Sequence, residues 1–178
     1  MTSVATTVEP VHGRLRRSRA VAALVAVLAL VALARILLID TVWVSSDSMS
    51  PTVCTGDLVL VARWNPRAAK VNDIVTFASP ADGSFTIKRV VGVAGQRVGI
   101  EDGQLVVDGH AVSEPYVDIK TIDGVYYGPV SVPSGTVLVM GDHRELSIDS
   151  RSFGPVPVAA IDGRRLATLW SSCPAVPS

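Results

Sequence analysis

The hydrophobic pattern of the chain begins with one long apolar run near the N-terminus. Residues 20–34 contain no polar side chain, and four further apolar residues follow Arg35 and end at Ile39. A helix needs about 20 apolar residues to cross a bilayer, and Arg35 lies close enough to one end of the run for its side chain to reach the headgroups. Four arginines precede the run, at positions 14, 16, 17 and 19. Basic residues on this side of an apolar run favour a cytoplasmic N-terminus. We therefore predict a cytoplasmic tail over residues 1–18, a transmembrane anchor over 19–39 and an extracytoplasmic domain over 40–178.

The same run is also compatible with two other interpretations. A basic segment, an apolar core and the sequence Ala32-Leu33-Ala34 together fit a cleavable signal peptide. A hydrophobic core helix is the other alternative. We favour the retained anchor because the candidate functional residues begin directly after Ile39.

Beyond residue 40 the pattern changes to short stretches rich in valine and isoleucine, separated by Asp-Gly pairs. Asp-Gly favours the positive φ angles of tight hairpin turns, and the pairs begin at Asp82, Asp102, Asp108, Asp123 and Asp162. The predicted strands are Leu58–Ala62, Ile74–Ala78, Phe85–Val93, Val98–Glu101, Leu105–Val107, Thr136–Met140 and Arg165–Trp170. No window in this region has helical periodicity with caps. The extracytoplasmic part is therefore predicted to be mainly β, as a folded sheet or a barrel-like domain.

Composition excludes some classes of partner. The 178 residues carry 16 basic and 16 acidic side chains and no dominant basic face, so nucleic acid is not an expected partner. Three histidines and two cysteines lack metal-ligand spacing, and we predict no metal. Cys54 and Cys173 could form a disulfide outside the cell or remain two thiols, and the sequence leaves both open.

A polar segment over residues 46–52 follows the anchor, and its serines raise the question of a nucleophile. A serine hydroxyl needs a base to take its proton, although the segment alone also fits a polar turn. Of three lysines, Lys70 and Lys120 lie in polar, loop-like sequence, whereas Lys88 lies in the predicted strand over 85–93, on the same side as Thr86 and Val90. Burial on an apolar face lowers the pKa of a lysine, so Lys88 is the candidate base; an exposed strand lysine is the alternative.

A third polar segment, over residues 141–151, follows the apolar strand that ends at Met140. Its alternating acidic and basic residues could form a solvated ion-pair network of little energetic value. The segment also permits a rival base: His143 could serve Ser48, with Asp142 or Asp149 orienting the ring. A surface histidine hydrogen-bonded within the loop is the other role open to it.

Taken together, these segments resemble the signature boxes of type I signal peptidases, the serine–lysine dyad proteases of family S26. The family pattern is S-G-S-M-x-P-T, then a strand with Lys-Arg, then G-D-N-R-x-x-S-x-D-S-R; here the boxes are Ser46–Thr52, Lys88–Gly92 and Gly141–Arg151. The pair Gly56-Asp57 before Leu-Val-Leu-Val is also as in that family. The resemblance extends from the anchor to about Pro155.

The resemblance implies a role for each matching residue. It makes Ser48 the nucleophile and Lys88 the general base, Ser147 the residue that positions the amine, and Ser46 the partner of the Ser48 N–H in an oxyanion hole. Asp149 and Arg151 would form a supporting ion pair, and Asp142 would hold Arg89. A serine–lysine dyad is a known variant of the serine-protease arrangement and requires no cofactor.

Three positions depart from the family pattern. Asp47 replaces a glycine beside the nucleophile, where a carboxylate could raise the pKa of the lysine and oppose its role as a base. His143 stands where asparagine is usual, and Asn72-Asp73 where Gly-Asp is common.

The predicted function is a serine endopeptidase in the cell membrane that removes N-terminal signal peptides from exported precursor proteins after Ala-x-Ala, with the precursors and the lipid bilayer as partners. The substrate would lie extended between Val42–Ser46 and the strand before Lys88. Trp43 and Trp64 are candidates for contact with the membrane interface. The alternatives are a catalytically silent membrane-tethered β domain, which Asp47 favours, and a serine–lysine protease with one dedicated substrate.

Overall fold

The computed structural model describes residues 12–63, 65, 68–117 and 126–173, without the side chains of 12–18 and 34–37. Within it the chain divides into two units, Met1–Leu37 and Leu38–Ser178. Most of the predicted tail, the Asp123-Gly124 turn, Lys120 and Trp64 lie outside the described residues.

Helix α1 spans His12–Leu38. Its larger described apolar side chains, from Val21 to Leu33, are 51–66% exposed. In the described part of the chain, no helix meets both the length and the hydrophobicity needed to cross a membrane.

The second unit is mainly β, which confirms the coarser part of the predicted fold class. Its strands are β1 (Ile39–Trp43), β2 (Leu58–Ala62), β3 (Ile74–Ala78), β4 (Phe85–Val93), β5 (Arg97–Glu101), β6 (Gln104–Val107), β7 (His110–Ala111), β8 (Tyr127–Ser131), β9 (Thr136–Met140), β10 (Val156–Pro157) and β11 (Ile161–Trp170). A seven-stranded sheet has the order β1-β2-β11-β3-β4-β9-β10 and a four-stranded sheet the order β7-β6-β5-β8. Helix α2 (Ser150–Phe153) and a 3-10 helix (Val158–Ala160) are short.

Four of the predicted strands, β2, β3, β4 and β9, have the predicted bounds, and β5, β6 and β11 begin one to four residues earlier. The prediction missed β1, β7, β8 and β10. Strand β1 directly continues the apolar run, so no change of pattern marks its start. Strand β8 contains Gly128-Pro129, which weakens any strand prediction.

The Asp-Gly pairs form turns in most of the described cases. At 102–103 and 108–109 both residues have positive φ, and Glu101 pairs with Gln104 across the first turn. The prediction is wrong for Asp162-Gly163, which lies inside β11 at a register shift. Gly163 is needed there for close approach, since a Cβ would lie 2.3 Å from Val61 Cγ1.

Strands β4 and β9 are buried on both faces and carry the core towards the site. Val90, Val137 and Val139 pack with Phe77 in one apolar cluster. Val91, Leu138 and Met140 pack in another cluster, together with residues of the four-stranded sheet. Lys88 therefore lies in a strand whose backbone is fixed by packing on both sides.

Candidate active site

Residues 44–57, between β1 and β2, form the loop that carries Ser48. Its ends are joined because Val44 N donates to Asp57 O at 2.9 Å and Gly56 N donates to Val44 O at 2.8 Å. Within it, Met49 and Val53 form an isolated β-bridge and are fully buried in an apolar cluster. The loop therefore holds Ser48 in a fixed, 7% exposed position.

The C-terminal segment is fastened to this loop. Asp57 is fully buried, and its carboxylate accepts hydrogen bonds from the backbone N–H groups of Cys54 and Ser172. Cys54 and Cys173 form a disulfide with a Cα–Cα distance of 5.3 Å. Of the two states that the sequence left open for these cysteines, the structure contains the disulfide.

The structure brings Ser48 and Lys88 together, although 40 residues separate them. Lys88 Nζ lies 2.7 Å from Ser48 Oγ, and Ser46 Oγ lies 3.3 Å from the same oxygen. The first distance is that of a hydrogen bond, and the second is a longer contact between two hydroxyl groups. The Lys88 side chain reaches Ser48 from within β4, and only 3% of the residue is exposed.

Burial lowers the pKa of the Lys88 amine, because the charged form loses hydration inside the protein. Asp149 raises this pKa, Arg151 lowers it and Asp142 raises it, in decreasing order of effect, and the net direction is downward. The amine can therefore be neutral at a lower pH than an exposed lysine and can accept a proton.

The Asp47 side chain forms a hydrogen bond within its own loop. Its carboxylate accepts a hydrogen bond from Thr55 N at 3.1 Å, and this contact holds the pKa of Asp47 below its usual value. The carboxylates that act on Lys88 are those of Asp149 and Asp142. The departure from glycine at this position thus adds a loop contact and no opposing charge beside the lysine.

The second loop of the site, residues 141–151, is organised by Asp149. This fully buried carboxylate accepts hydrogen bonds from Gly141 N at 3.0 Å and Arg151 N at 3.1 Å, the latter as the N-cap of α2. It also pairs with the Arg151 guanidinium at 2.9 Å. Next to it, Ser150 Oγ accepts from Val139 N at 2.9 Å, which joins the loop to β9.

Arg89 and Asp142 form the second ion pair. Arg89 Nε and Nη2 donate to the two carboxylate oxygens at 2.8 and 2.6 Å, and the arginine side chain is 9% exposed. Arg89 Nη1 also donates to Asn72 O at 3.2 Å. Asn72 has a φ of 74°. Asparagine tolerates positive φ better than most residues, so it can replace the glycine that is common at this position of the family.

Ser147 lies next to the loop of residues 44–57. A Cβ on Gly141 would lie 2.3 Å from Ser147 Oγ and 2.4 Å from Ser48 O, so only glycine permits this close packing. Among the described residues, the buried Ser147 hydroxyl has no hydrogen-bond partner. The Ser147 hydroxyl is therefore a polar group close to Ser48 O that is left without a hydrogen bond to the described residues.

Ser48 and Lys88 open onto a cleft of about 190 Å³. The walls are formed by Ser46, Thr86, Leu146 and Ile148, and by Ser79, Ala81, Asp82 and Ser84 between β3 and β4. Strand β4 pairs with β3 along residues 85–89, but its pairing with β9 begins only at Arg89. Of the described strands, none covers the other edge of residues 85–88, which borders the cleft.

A family model described as signal peptidase, peptidase S26, matches residues 17–170. The chain belongs to the signal peptidase family, peptidase S26. The family prediction made from the sequence motifs is thereby confirmed, and with it the assignment to the serine endopeptidases.

Individual relatives agree with this assignment. Probable thylakoidal processing peptidase 2 of Arabidopsis thaliana is 35% identical over 137 residues, which cover 71% of this chain and 37% of the relative. Signal peptidase I V of Bacillus subtilis is 35% identical over 127 residues, or 64% of this chain and 75% of the relative. Signal peptidase I of Bacillus licheniformis is 32% identical over 157 residues, or 83% and 82% of the two chains. The chain thus spans much less of the chloroplast protein than of the bacterial ones.

His143, the alternative candidate base, contacts the loop of residues 44–57 through its backbone. Its backbone N–H donates to the backbone oxygen of Ser48 at 3.1 Å. The Ser48 side-chain oxygen, by contrast, is hydrogen-bonded to Lys88 Nζ. The half-buried His143 ring lies near enough to Asp47 to lower the pKa of that carboxyl. The geometry favours the lysine over the histidine as partner of Ser48.

Two residues that contact the site were missed by the sequence analysis. Glu114 forms an ion pair with Arg144, and Tyr116 stacks on the Arg89 guanidinium. The only signal was an acidic residue and an aromatic residue around Pro115, in a stretch without strand or helix periodicity.

Proposed function

We propose that this signal peptidase removes N-terminal signal peptides from exported precursor proteins, with Ser48 as nucleophile and Lys88 as general base. The observation that carries the proposal is the 2.7 Å distance between Lys88 Nζ and Ser48 Oγ in a buried setting. A buried amine with a lowered pKa is the kind of base that a serine hydroxyl requires.

The first chemical step follows from this contact. The neutral Lys88 amine takes the Ser48 proton while Ser48 Oγ attacks the scissile carbonyl carbon, which forms a tetrahedral oxyanion. The resulting ammonium gives its proton to the leaving amine as the peptide bond breaks. An ester between Ser48 and the signal peptide remains, and Lys88 then activates a water molecule that hydrolyses it and restores the hydroxyl.

Ser46 is proposed to donate to the oxyanion together with the Ser48 backbone N–H. The 3.3 Å distance between the Ser46 and Ser48 hydroxyl oxygens supports this role. Removing one donor from an oxyanion hole costs about 2.7–4 kcal/mol of transition-state stabilisation.

Ser147 and the ion pairs are proposed to keep the base in place. Among the described residues, the buried Ser147 hydroxyl has no hydrogen-bond partner, which leaves it able to bond to the amine. Asp149 fixes the loop that carries Ser147, and Asp142 holds Arg89, the neighbour of Lys88 in β4. These are positioning roles, because none of the three groups contacts Ser48 Oγ.

The substrate is proposed to bind as an extended strand along the uncovered edge of residues 85–88. Main-chain hydrogen bonds to such an edge provide affinity, and pockets for alternate side chains provide selectivity. The cleft beside this edge is lined in part by Ser79, Ala81 and Ser84, and the family resemblance implies a preference for Ala-x-Ala there. Val42 and Trp43 belong to β1, an edge strand of the seven-stranded sheet, and the opposite substrate contact is proposed for residues 44–46, which follow it.

A location in the cell membrane is part of the proposal, with residues 19–39 as a single-pass anchor and residues 40–178 outside. Its support is the apolar run with its preceding arginines and the exposure of the apolar side chains between Val21 and Leu33. Trp43 and Trp170 are 66% and 65% exposed, and each pairs with Leu58, so that both lie near one end of the sheet. Tryptophan in this setting is typical of a membrane interface.

The dyad is tested by cleavage of an Ala-x-Ala precursor by the full chain in detergent. Ser48→Ala and Lys88→Ala should each lower kcat by about 1,000-fold or more. Lys70→Ala, which removes an exposed lysine, should cleave like the wild type. Normal processing by Lys88→Ala would exclude the lysine as base, and a histidine base would then be revealed by loss of activity in His143→Ala.

The membrane part is tested separately in cells. The full chain should stay in the membrane fraction after alkaline extraction, and protease added outside should degrade residues 40–178. Extraction of the chain into the soluble fraction would contradict the anchor without affecting the dyad.

A further inference from the structure

We propose that Glu114 and Tyr116 are positioning residues for the serine–lysine site, fastening the loop 141–151 and strand β4 to a common segment. This segment, residues 112–117, follows β7 of the four-stranded sheet. The inference rests on the proposed function and assigns that site two further residues.

Glu114 holds the loop through Arg144. Arg144 Nη2 donates to both carboxylate oxygens of Glu114 at 2.6 and 2.7 Å, and the two side chains are 2% and 7% exposed. Charge-assisted contacts of this length are among the stronger hydrogen bonds in proteins. Separating such a buried pair leaves an uncompensated charge, which is energetically costly. The Arg144 side chain is therefore held firmly beside Glu114.

Arg144 passes this constraint to the rest of the loop. Its Nε donates to Gly141 O at 3.1 Å, and its backbone carbonyl accepts from Arg151 Nη2 at 2.5 Å. Arg151 in turn pairs with Asp149, the charged group with the largest effect on the Lys88 amine. A continuous series of contacts therefore joins Glu114 to the electrostatic surroundings of the base.

Tyr116 acts on the other side of the base, through β4. The Arg89 guanidinium carbon lies 3.7 Å above the centroid of the Tyr116 ring, a cation–π contact that supplements the pair with Asp142. The Tyr116 hydroxyl donates at 3.1 Å to Glu114 Oε1 and lies 3.2 Å from Asn72 Oδ1. Because Arg89 directly follows Lys88, the ring limits movement of the strand at the base.

One short segment thus contacts both structures that determine where the Lys88 amine lies. Loosening it should let water reach Lys88, and since burial is the main cause of the lowered pKa, that pKa should rise. Asp149, Asp142 and Arg151 are the other charged groups that act on this amine, and they would move with the loop and the strand. A misplacement of catalytic groups by about 1 Å costs on the order of 100-fold in rate.

The experiment compares Glu114→Gln with Glu101→Gln, an exposed glutamate of the four-stranded sheet. Cleavage of an Ala-x-Ala precursor is measured from pH 6 to 10, with thermal unfolding of each variant. Glu114→Gln should lower kcat at neutral pH about 10- to 100-fold with KM within about threefold, and should move the acid limb of the pH profile upward. Glu114→Asp should restore part of the rate, and Glu101→Gln should match the wild type.

Tyr116 provides a second pair of variants that tests the inference if Glu114→Gln does not fold. Tyr116→Phe keeps the ring over Arg89 and should retain most of kcat, whereas Tyr116→Leu should show the same loss and upward pH shift as Glu114→Gln. A wild-type kcat and pH profile in folded Glu114→Gln, or in Tyr116→Leu, would overturn the inference.

Lys88→Ala is measured on the same precursor to separate the two proposals. If the wild type cleaves and Lys88→Ala does not, a normal Glu114→Gln enzyme contradicts the positioning roles alone. If Lys88→Ala cleaves normally, the proposed function itself fails, and the positioning roles fail with it.

Discussion

Residues 44–57 and residues 141–151 both bring side chains to the cleft, but different interactions hold them. The first loop is held by backbone hydrogen bonds, by the buried Met49–Val53 bridge, by the Asp57 carboxylate, which accepts from two backbone N–H groups, and by the disulfide to the C-terminal segment. The second loop is surrounded by three arginine–carboxylate pairs, which involve Arg89, Arg144 and Arg151. Its most buried carboxylates, Asp149 and Asp142, are 0% and 1% exposed.

This difference corresponds to what each loop has to supply. The proposed nucleophile requires a fixed position, which apolar packing and backbone hydrogen bonds provide. The proposed base requires both a position and a suitable pKa; burial has the largest effect on the pKa of Lys88, and the surrounding charges raise or lower it further. We therefore expect the first loop to tolerate loss of single contacts and the second loop to fail when one charge is removed.

Asp149→Asn should have the largest effect. The buried carboxylate serves two backbone N–H groups and Arg151 at once, so its neutralisation should destabilise the protein by about 3–5 kcal/mol and abolish most cleavage. Denaturant unfolding and precursor cleavage measure the two consequences.

The control for this prediction is Asp40→Asn, which breaks an exposed pair with Arg63 whose side chains are 54% and 51% exposed. Exposed pairs contribute about 0–1 kcal/mol, so stability and cleavage should change little. Equal effects of the two substitutions would mean that buried charge does not distinguish the second loop.

Removal of the disulfide by the double substitution Cys54→Ser and Cys173→Ser should have the next largest effect, on stability alone. A bridge that closes a separation of 119 residues typically stabilises a domain by about 2–4 kcal/mol. Below the lowered melting temperature, kcat should stay within about threefold of the wild type, because the backbone bonds and Met49–Val53 packing remain. A folded variant that has lost cleavage would show that the disulfide itself positions Ser48.

The sequence was informative where local patterns determine structure. Short stretches rich in valine, isoleucine and other apolar residues gave the bounds of β2, β3, β4 and β9, because the preference for a strand acts over a few residues. The motif resemblance indicated that residues 48, 88 and 147–151 would meet. Their proximity depends on how distant segments fold together, which a known family pattern encodes and periodicity does not.

Other features lay beyond these signals. Strand β11 lies between β2 and β3 although it is last in the chain, and no local pattern specifies that order. Asp162-Gly163 has the composition of a turn, yet close packing against Val61 places it inside a strand. Glu114 and Tyr116 act through Arg144 and Arg89, so their contribution becomes visible only with the tertiary contacts.

Lys88→Met should have the third largest effect, and it should raise the free energy of unfolding. Burial lowers the pKa of Lys88 in the folded chain below 10.5, the value of an unperturbed lysine. Between the folded pKa and 10.5, the unfolded chain therefore binds the proton and the folded chain does not. Wild-type stability should therefore rise with pH across that range, while Met carries no such penalty. The free energy of unfolding of the variant at neutral pH should exceed that of the wild type by about 1.4 kcal/mol per pH unit of a range that ends at 10.5. This range begins at the folded pKa or at neutral pH, whichever is higher. The lost contact with Ser48 reduces the gain by about 1 kcal/mol.

Denaturant unfolding at several pH values checks this prediction, because groups other than Lys88 titrate alike in both proteins. The difference between Lys88→Met and wild type should shrink as the pH approaches 10.5. Lys70→Met, at an exposed lysine, should show a small difference that does not vary with pH. A constant difference for Lys88→Met would contradict the lowered pKa on which the base depends.

Asp47→Asn should have the smallest effect, although the residue adjoins Ser48 and departs from the family glycine. The carboxylate lies in the first loop, accepts from Thr55 N and is not among the charges that act on Lys88. Asparagine keeps an acceptor oxygen, so stability should change by less than about 0.5 kcal/mol and kcat by less than about twofold. The acid limb of the pH profile should not move; if it moved to lower pH, a negative charge would have been lost from the surroundings of Lys88, and the first loop would then influence the base electrostatically as the second one does.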